Sequence, residues 1–321
     1  MGERLARRRS TYLTHRQQVI EEPTVNQSPV SGVVVGIDAS PRAQQALDWA
    51  ADEADRRGVP LHIAHSWSLA PYQEPPGDRG DIPEDLLQAA RQLVHEAEAH
   101  LRERQVGIEV HRHLLSERTV PGLVQLAQHA QLLVVGTRGR NRLSSTLLGS
   151  VSQGLAAHAA CPLVVFTGPE GTAGPGEWTG DDGVVVLGAG PGEAAAPVEF
   201  AFAEAARRGV PLKVIRTWMY PQAYPGILAV GPVEEATRTR DESADLAEVL
   251  AAGRKAFPDV QLVTEVRLDE ADAALVDASA GAALVVLGAE RHRRRFTLPM
   301  GPVTHRVLHH AHCPVAVVPH V

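Results

Sequence analysis

The chain has 321 residues, 44% of them hydrophobic and 21% charged, with a formal net charge of −7. That length fits two domains of ordinary size, and the apolar content excludes a disordered chain. The negative charge argues against general nucleic-acid binding, and no apolar run reaches the ~18 residues that a membrane-spanning helix needs.

Residues 1–31 are polar and basic, with Arg7-Arg8-Arg9 and no apolar core of a secretory signal, and are expected to form a flexible arm. Val33 to Ile37 then reads as a buried strand, broken by Asp38-Ala39-Ser40-Pro41, where Asp38 or Ser40 can cap the following helix. Ala43, Ala46, Leu47, Ala50 and Ala54 share one face of that helix, which ends at Arg56-Arg57-Gly58. A strand is predicted over Val59–Ser66, a long loop over Trp67–Pro83 and a long helix over Glu84–Arg104. A strand over Ile108–Leu114, a short helix over Val120–His129 and an apolar strand at Leu132–Val135 follow. Alternation of this kind specifies an α/β fold: an open, doubly wound parallel sheet, in which ligands sit beyond the carboxyl ends of strands.

The stretch after that last strand carries the chemistry. Gly136, Gly139, Gly149 and Ser150 follow the pattern G-x2-G-x9-G-S, between an apolar strand and a helix containing Val151, Leu155 and Ala159. Glycines leave backbone amides open to a ligand and allow positive φ. Ser150, at the helix start, can cap free N–H groups or offer a hydroxyl to an anion, and the helix dipole favours negative charge there. The competing reading is a plain strand-loop-helix connection with incidental glycines.

At these residues the chain resembles the universal stress protein family, whose nucleotide-binding members carry this glycine pattern after the fourth strand. The resemblance implies an adenine nucleotide, ATP with or without Mg2+, held by Gly36, Ile37, Asp38, Ser66, Gly136, Thr137, Arg138, Gly139, Gly149, Ser150 and Val151. In that set Asp38 receives ribose hydroxyls or an adenine amine, Gly36 and Ile37 lie along the base, and Ser66 stands near the adenine. Asp38 alone could equally be a helix cap.

The second half repeats the first. Arg207-Arg208-Gly209-Val210-Pro211-Leu212 matches Arg56-Arg57-Gly58-Val59-Pro60-Leu61 residue for residue, Trp218 matches Trp67, and His310-Ala311-His312-Cys313-Pro314 matches His158-Ala159-Ala160-Cys161-Pro162. The expected organisation is therefore an arm over 1–31, a domain over 32–168, a Gly- and Pro-rich linker over 169–182 and a second domain over 183–321, each domain Rossmann-like. Its loops differ where the chemistry lies. No acid stands where Asp38 does, Arg291 replaces the second glycine and Pro302 replaces the serine, removing an N–H and a hydroxyl. Nucleotide is thus expected chiefly in the first half. Arg291, Arg293, Arg294 and Arg295 could still hold an anion, or be a solvated charge run.

The 15 histidines include no spaced metal set, and Cys161 and Cys313, each before a proline, read as core residues in a reduced, cytoplasmic setting. The resemblance further implies pairing through the last strands. In a tandem chain Leu163–Phe166 and Val315–Val318 could pair as an intrachain pseudo-dimer, and two chains could associate further. Three functions stay open: a regulatory ATP-binding stress module, a slow ATP hydrolase, and a ligand-independent scaffold. The loop from Gly136 to Ser150 contains no acid, which disfavours metal-assisted phosphoryl transfer.

Overall fold

Val33, Val34 and Val35 are fully buried, so the first strand is covered on both faces, as an interior strand of a parallel sheet must be. The computed structural model describes residues 30–67, 84–137, 149–167, 183–220, 232–290 and 300–320. In chain order the first half contains β1 (Val33–Gly36), α1 (Pro41–Arg57), β2 (Leu61–Ser66), α2 (Glu84–Glu103), β3 (Val110–Leu115), α3 (Thr119–Leu126), β4 (Leu132–Gly136), α4 (Ser150–His158) and β5 (Leu163–Phe166). The second contains β6 (Val184–Gly188), α5 (Ala195–Arg208), β7 (Leu212–Trp218), α6 (Pro232–Ala256), β8 (Leu262–Leu268), α7 (Ala271–Ser279), β9 (Ala282–Glu290), α8 (Pro302–His310) and β10 (Val315–His320).

Local chemistry sets the boundaries. Ser40 is the N-cap of α1, its Oγ accepting from the Ala43 N–H at 3.2 Å, and Pro41 opens the first turn. Gly58 and Gly209 close α1 and α5 at φ 63° and 66°, which explains why Arg-Arg-Gly recurs in both halves. Val59 belongs to this cap, its N–H bonding the Ala54 carbonyl at 3.0 Å, so β2 begins at Leu61 and not at Val59. Likewise the helix expected over Val120–His129 is α3 followed by a 3-10 turn, Ala127–His129.

Among the described residues, all the strands join one ten-stranded sheet in the order β3-β2-β1-β4-β5-β10-β9-β6-β7-β8. Every neighbouring pair is parallel except β5 and β10, which run antiparallel with Val315 opposite Val165 and Val317 opposite Leu163. The pairing expected between Leu163–Phe166 and Val315–Val318 is therefore the seam of the molecule. One face of the sheet carries α1, α2, α5 and α6 over a core containing Leu47, Leu101, Phe202 and Leu246. The other carries α3, α4, α7 and α8 over Leu123, Leu155, Leu275 and Val307.

Candidate functional site

β1 and β4 are neighbours, Gly36 standing beside Val135. The chain leaves β1 towards β2 on one side and β4 towards β5 on the other, so a crevice opens between their carboxyl ends. Asp38 sits at its mouth. Its Oδ1 accepts from the Ser40 N–H at 3.0 Å, ordering the turn, while Ser40 does the helix capping. Ile37 is mostly buried. Its N–H bonds the Ala64 carbonyl at 2.9 Å and its own carbonyl lies 2.9 Å from His65 Nδ1.

On the β4 side the glycines are demanded by close approach. A Cβ on Gly136 would lie 3.1 Å from the Arg42 backbone, the first turn of α1. One on Gly149 would lie 2.7 Å from the Thr137 carbonyl, because the Gly149 N–H donates to that carbonyl at 3.0 Å. This bond ties the two ends of the intervening loop together. Arg138 and Gly139 lie outside the described residues. Ser150 does not cap the helix as expected. Gly149 is the N-cap, with no side-chain cap bond, and Ser150 is the first helical residue and exposed. The first-turn amides of α4, including those of Ser150 and half-buried Val151, have no intrahelical acceptor, and the helix dipole adds to their pull on an anion.

Two features escaped the sequence reading. Buried Ser152 donates its hydroxyl to the Gly136 carbonyl at 3.2 Å, pinning α4 to the end of β4; a serine two residues past the motif gave no sign of this. Ser66 donates to the Glu117 carbonyl at 2.8 Å, tying the end of β2 to the segment after β3.

The family model described as the universal stress protein family matches residues 31–167 and again 184–319. The chain belongs to the universal stress protein family, in tandem form. A universal stress protein of Mycobacterium tuberculosis is 34% identical over 296 residues, covering 89% of this chain and 95% of the relative. A second from the same organism is 32% identical over 294 residues, covering 89% and 96%. Among solved structures, a universal stress protein from Archaeoglobus fulgidus superposes with a TM-score of 0.62 at 15% identity, over 89% of this chain and 98% of its own. Another universal stress protein from that organism, in complex with dAMP, is 28% identical over 43% of this chain and 99% of its own, with a TM-score of 0.34.

The second family repeat builds its crevice differently. Ala189 takes the place of Ile37, its N–H bonding the Ile215 carbonyl at 3.0 Å, which puts Gly190 where Asp38 stands. An acid nevertheless enters that loop. Glu193 Oε2 accepts from the Gly190 N–H at 2.9 Å, and its Oε1 would lie 2.5 Å from a Cβ on Gly288. β9 also runs on past Gly288, pairing Ala289 and Glu290 with Pro319 and His320, where β4 stops at Gly136. Gly301 caps α8 with nothing within 4 Å of its would-be Cβ among the described residues, unlike Gly149. Arg291 and the arginines at 293–295 lie outside the described residues.

Proposed function

We propose that the first half binds an adenine nucleotide, ATP, in the crevice between β1 and β4, and that the protein acts as a nucleotide-binding regulatory module of the stress response, in the cytoplasm. The Thr137–Gly149 closure carries this reading. It presents the uncapped start of α4 to the crevice at a point where a side chain on Gly149 would strike backbone 2.7 Å away. Gly136, Thr137, Gly149, Ser150 and Val151 would face phosphates, Arg138 and Gly139 would complete that loop, and Gly36, Ile37, Asp38 and Ser66 would face the nucleoside. A Mg2+ ion would arrive with the nucleotide.

The second half is read as a partner domain. Its strand continues where a phosphate loop must turn away, and its helix begins with Pro302, which has no N–H to give. Calorimetry on the whole chain with ATP and magnesium tests both statements. One site per chain, lost in Gly149→Arg and weakened in Asp38→Ala, is the expected result. Two sites of similar affinity would refute the assignment to the first half, and no heat would favour the scaffold reading. Turnover of bound ATP would move the reading to a slow hydrolase.

A further inference from the structure

Three histidines that sequence spacing does not group come together on one face of β2 and β3. His62 and His111 are register partners in this parallel pair, and His113 follows two residues on, so all three project to the same side. His62 Nδ1 lies 3.0 Å from His113 Nε2. The His111 ring stacks on His62 with centroids 4.7 Å apart and 17° between planes. His111 Nε2 lies 3.2 Å from Glu109 Oε1, just before the strand. The cluster sits near the amino ends of the strands, away from the nucleotide crevice. β3 is the terminal strand of the sheet, and the His111 side chain is 38% exposed. His62 is buried; its ring interacts with the Ser31 backbone, and its Nε2 has no well-aligned hydrogen-bond partner among the described residues.

Packing three imidazoles together does little for a core, and a leucine trio would fill the space without burying polar nitrogens. The arrangement suits a metal ion. Two imidazole nitrogens on one tetrahedral zinc, at bond lengths of about 2.0–2.1 Å, stand about 3.3 Å apart. The His62–His113 nitrogens are within a few tenths of an ångström of that spacing. The Glu109 contact to His111 Nε2 lies at the exposed sheet edge and opens when the ring turns. As they stand, no three metal-capable donors among the described residues surround one point, because His111 lies over His62 and not beside it. Rotation of the partly exposed His111 about its Cα–Cβ and Cβ–Cγ bonds would supply the third nitrogen.

We infer that His62 Nδ1, His113 Nε2 and His111 Nδ1 form a site for a divalent transition-metal ion of the imidazole-seeking kind, zinc foremost, open to solvent at the sheet edge. On binding, the hydrogen now shared between His62 and His113 moves to an outer ring nitrogen, and water completes the coordination.

The test is calorimetric titration of the EDTA-treated full chain with Zn2+, with Co2+ absorption as a second probe of geometry. Wild type is expected to take up one ion per chain, with a tetrahedral Co2+ band. His113→Ala is expected to lose about 10-fold or more in affinity, and His111→Ala a comparable factor. Both side chains are partly exposed, so both variants should keep the wild-type melting curve in EDTA, which His62→Ala need not. His305→Ala, in the separate histidine group on α8, should bind as wild type, as should Gly149→Arg. No stoichiometric uptake, or uptake that survives His113→Ala, or equal loss in His305→Ala, would overturn the inference.

Discussion

Arg57 on α1 donates to Glu204 on α5 at 2.5 Å, and Arg208 on α5 returns the contact to Glu53 on α1 at 2.6 Å. Each arginine also pairs with the glutamate four residues before it on its own helix. The two glutamates are fully buried and Arg208 nearly so, with its guanidinium over the Trp49 ring at 5.6 Å. This four-residue ring spans the two family repeats directly over the seam.

Breaking such a ring should cost far more than making it gains. Glu204→Gln leaves Arg57 and Arg208 facing a neutral amide, and a buried pair that loses one partner is destabilised by about 3 kcal/mol or more. Replacing Glu53, Arg57, Glu204 and Arg208 together with leucine should be less damaging than Glu204→Gln alone, because the partners left behind, Arg56 and Arg207, are partly exposed to water. Urea denaturation of both proteins measures this; a Glu204→Gln midpoint equal to wild type would refute it.

The two helix-cap glycines should respond unequally to the same change. Gly149→Ala puts a Cβ 2.7 Å from the Thr137 carbonyl, so the loop closure must open and nucleotide affinity should fall at least 10-fold. Gly301→Ala meets nothing within 4 Å among the described residues and should change stability by no more than about 1 kcal/mol, the worth of an N-cap preference. Equal effects in thermal melts with and without ATP would count against the asymmetry between the halves.

Gly253 lies inside α6, where alanine ordinarily improves helix stability by up to about 1 kcal/mol. Here its Cβ would collide with the fully buried Phe202 ring, which is itself stacked on Phe257. Overpacking of a tight core costs about 1–3 kcal/mol, so the clash should win and Gly253→Ala should lower the melting temperature. A raised melting temperature would show that the Phe202–Phe257 pair can slide aside.

Burial, and then the neighbouring His113 and His111, push His62 down from 6.5 to about 4, against a small opposing contribution from the Ser31 backbone. Burial also lowers His113. A folded-state value below the unfolded one means that the unfolded chain takes up protons first. The contribution of His62 is therefore fully present above about pH 6.5 and is lost as pH falls from there towards about 4. In metal-free buffer, stability should decline across that window, and His62→Gln should decline less steeply. Parallel slopes would exclude His62 as the titrating group.

How much of this was legible in the sequence follows from what each feature depends on. The strands of β1 and β4, the Ser40-Pro41 helix start and the repeated Arg-Arg-Gly ends are short-range patterns, and they were readable. So was the glycine motif, although the Thr137–Gly149 bond that makes Gly149 obligatory was not. The cap at Gly149, one residue before Ser150, turns on backbone angles that a Gly-Ser pair leaves undetermined. Glu193 was missed because it reaches back three residues to a position where the sequence holds Gly190. The Glu53–Arg57–Glu204–Arg208 ring and the histidine trio depend on strand pairing between distant segments, and no local pattern reports them.

The antiparallel contact between β5 and β10 has a geometric effect on the whole molecule. Because every other pair is parallel, the strands of the two halves point in opposite directions. The β1–β4 crevice and the β6–β9 crevice therefore open at opposite ends, facing away from each other. Among the described residues, the ends of β1 and β4 therefore share no ligand with those of β6 and β9. Any influence passing between them has to cross the seam, where α1 and α5 are clasped by their arginines and glutamates. The histidine cluster, near the amino ends of β2 and β3, lies at the same end of the molecule as the second crevice.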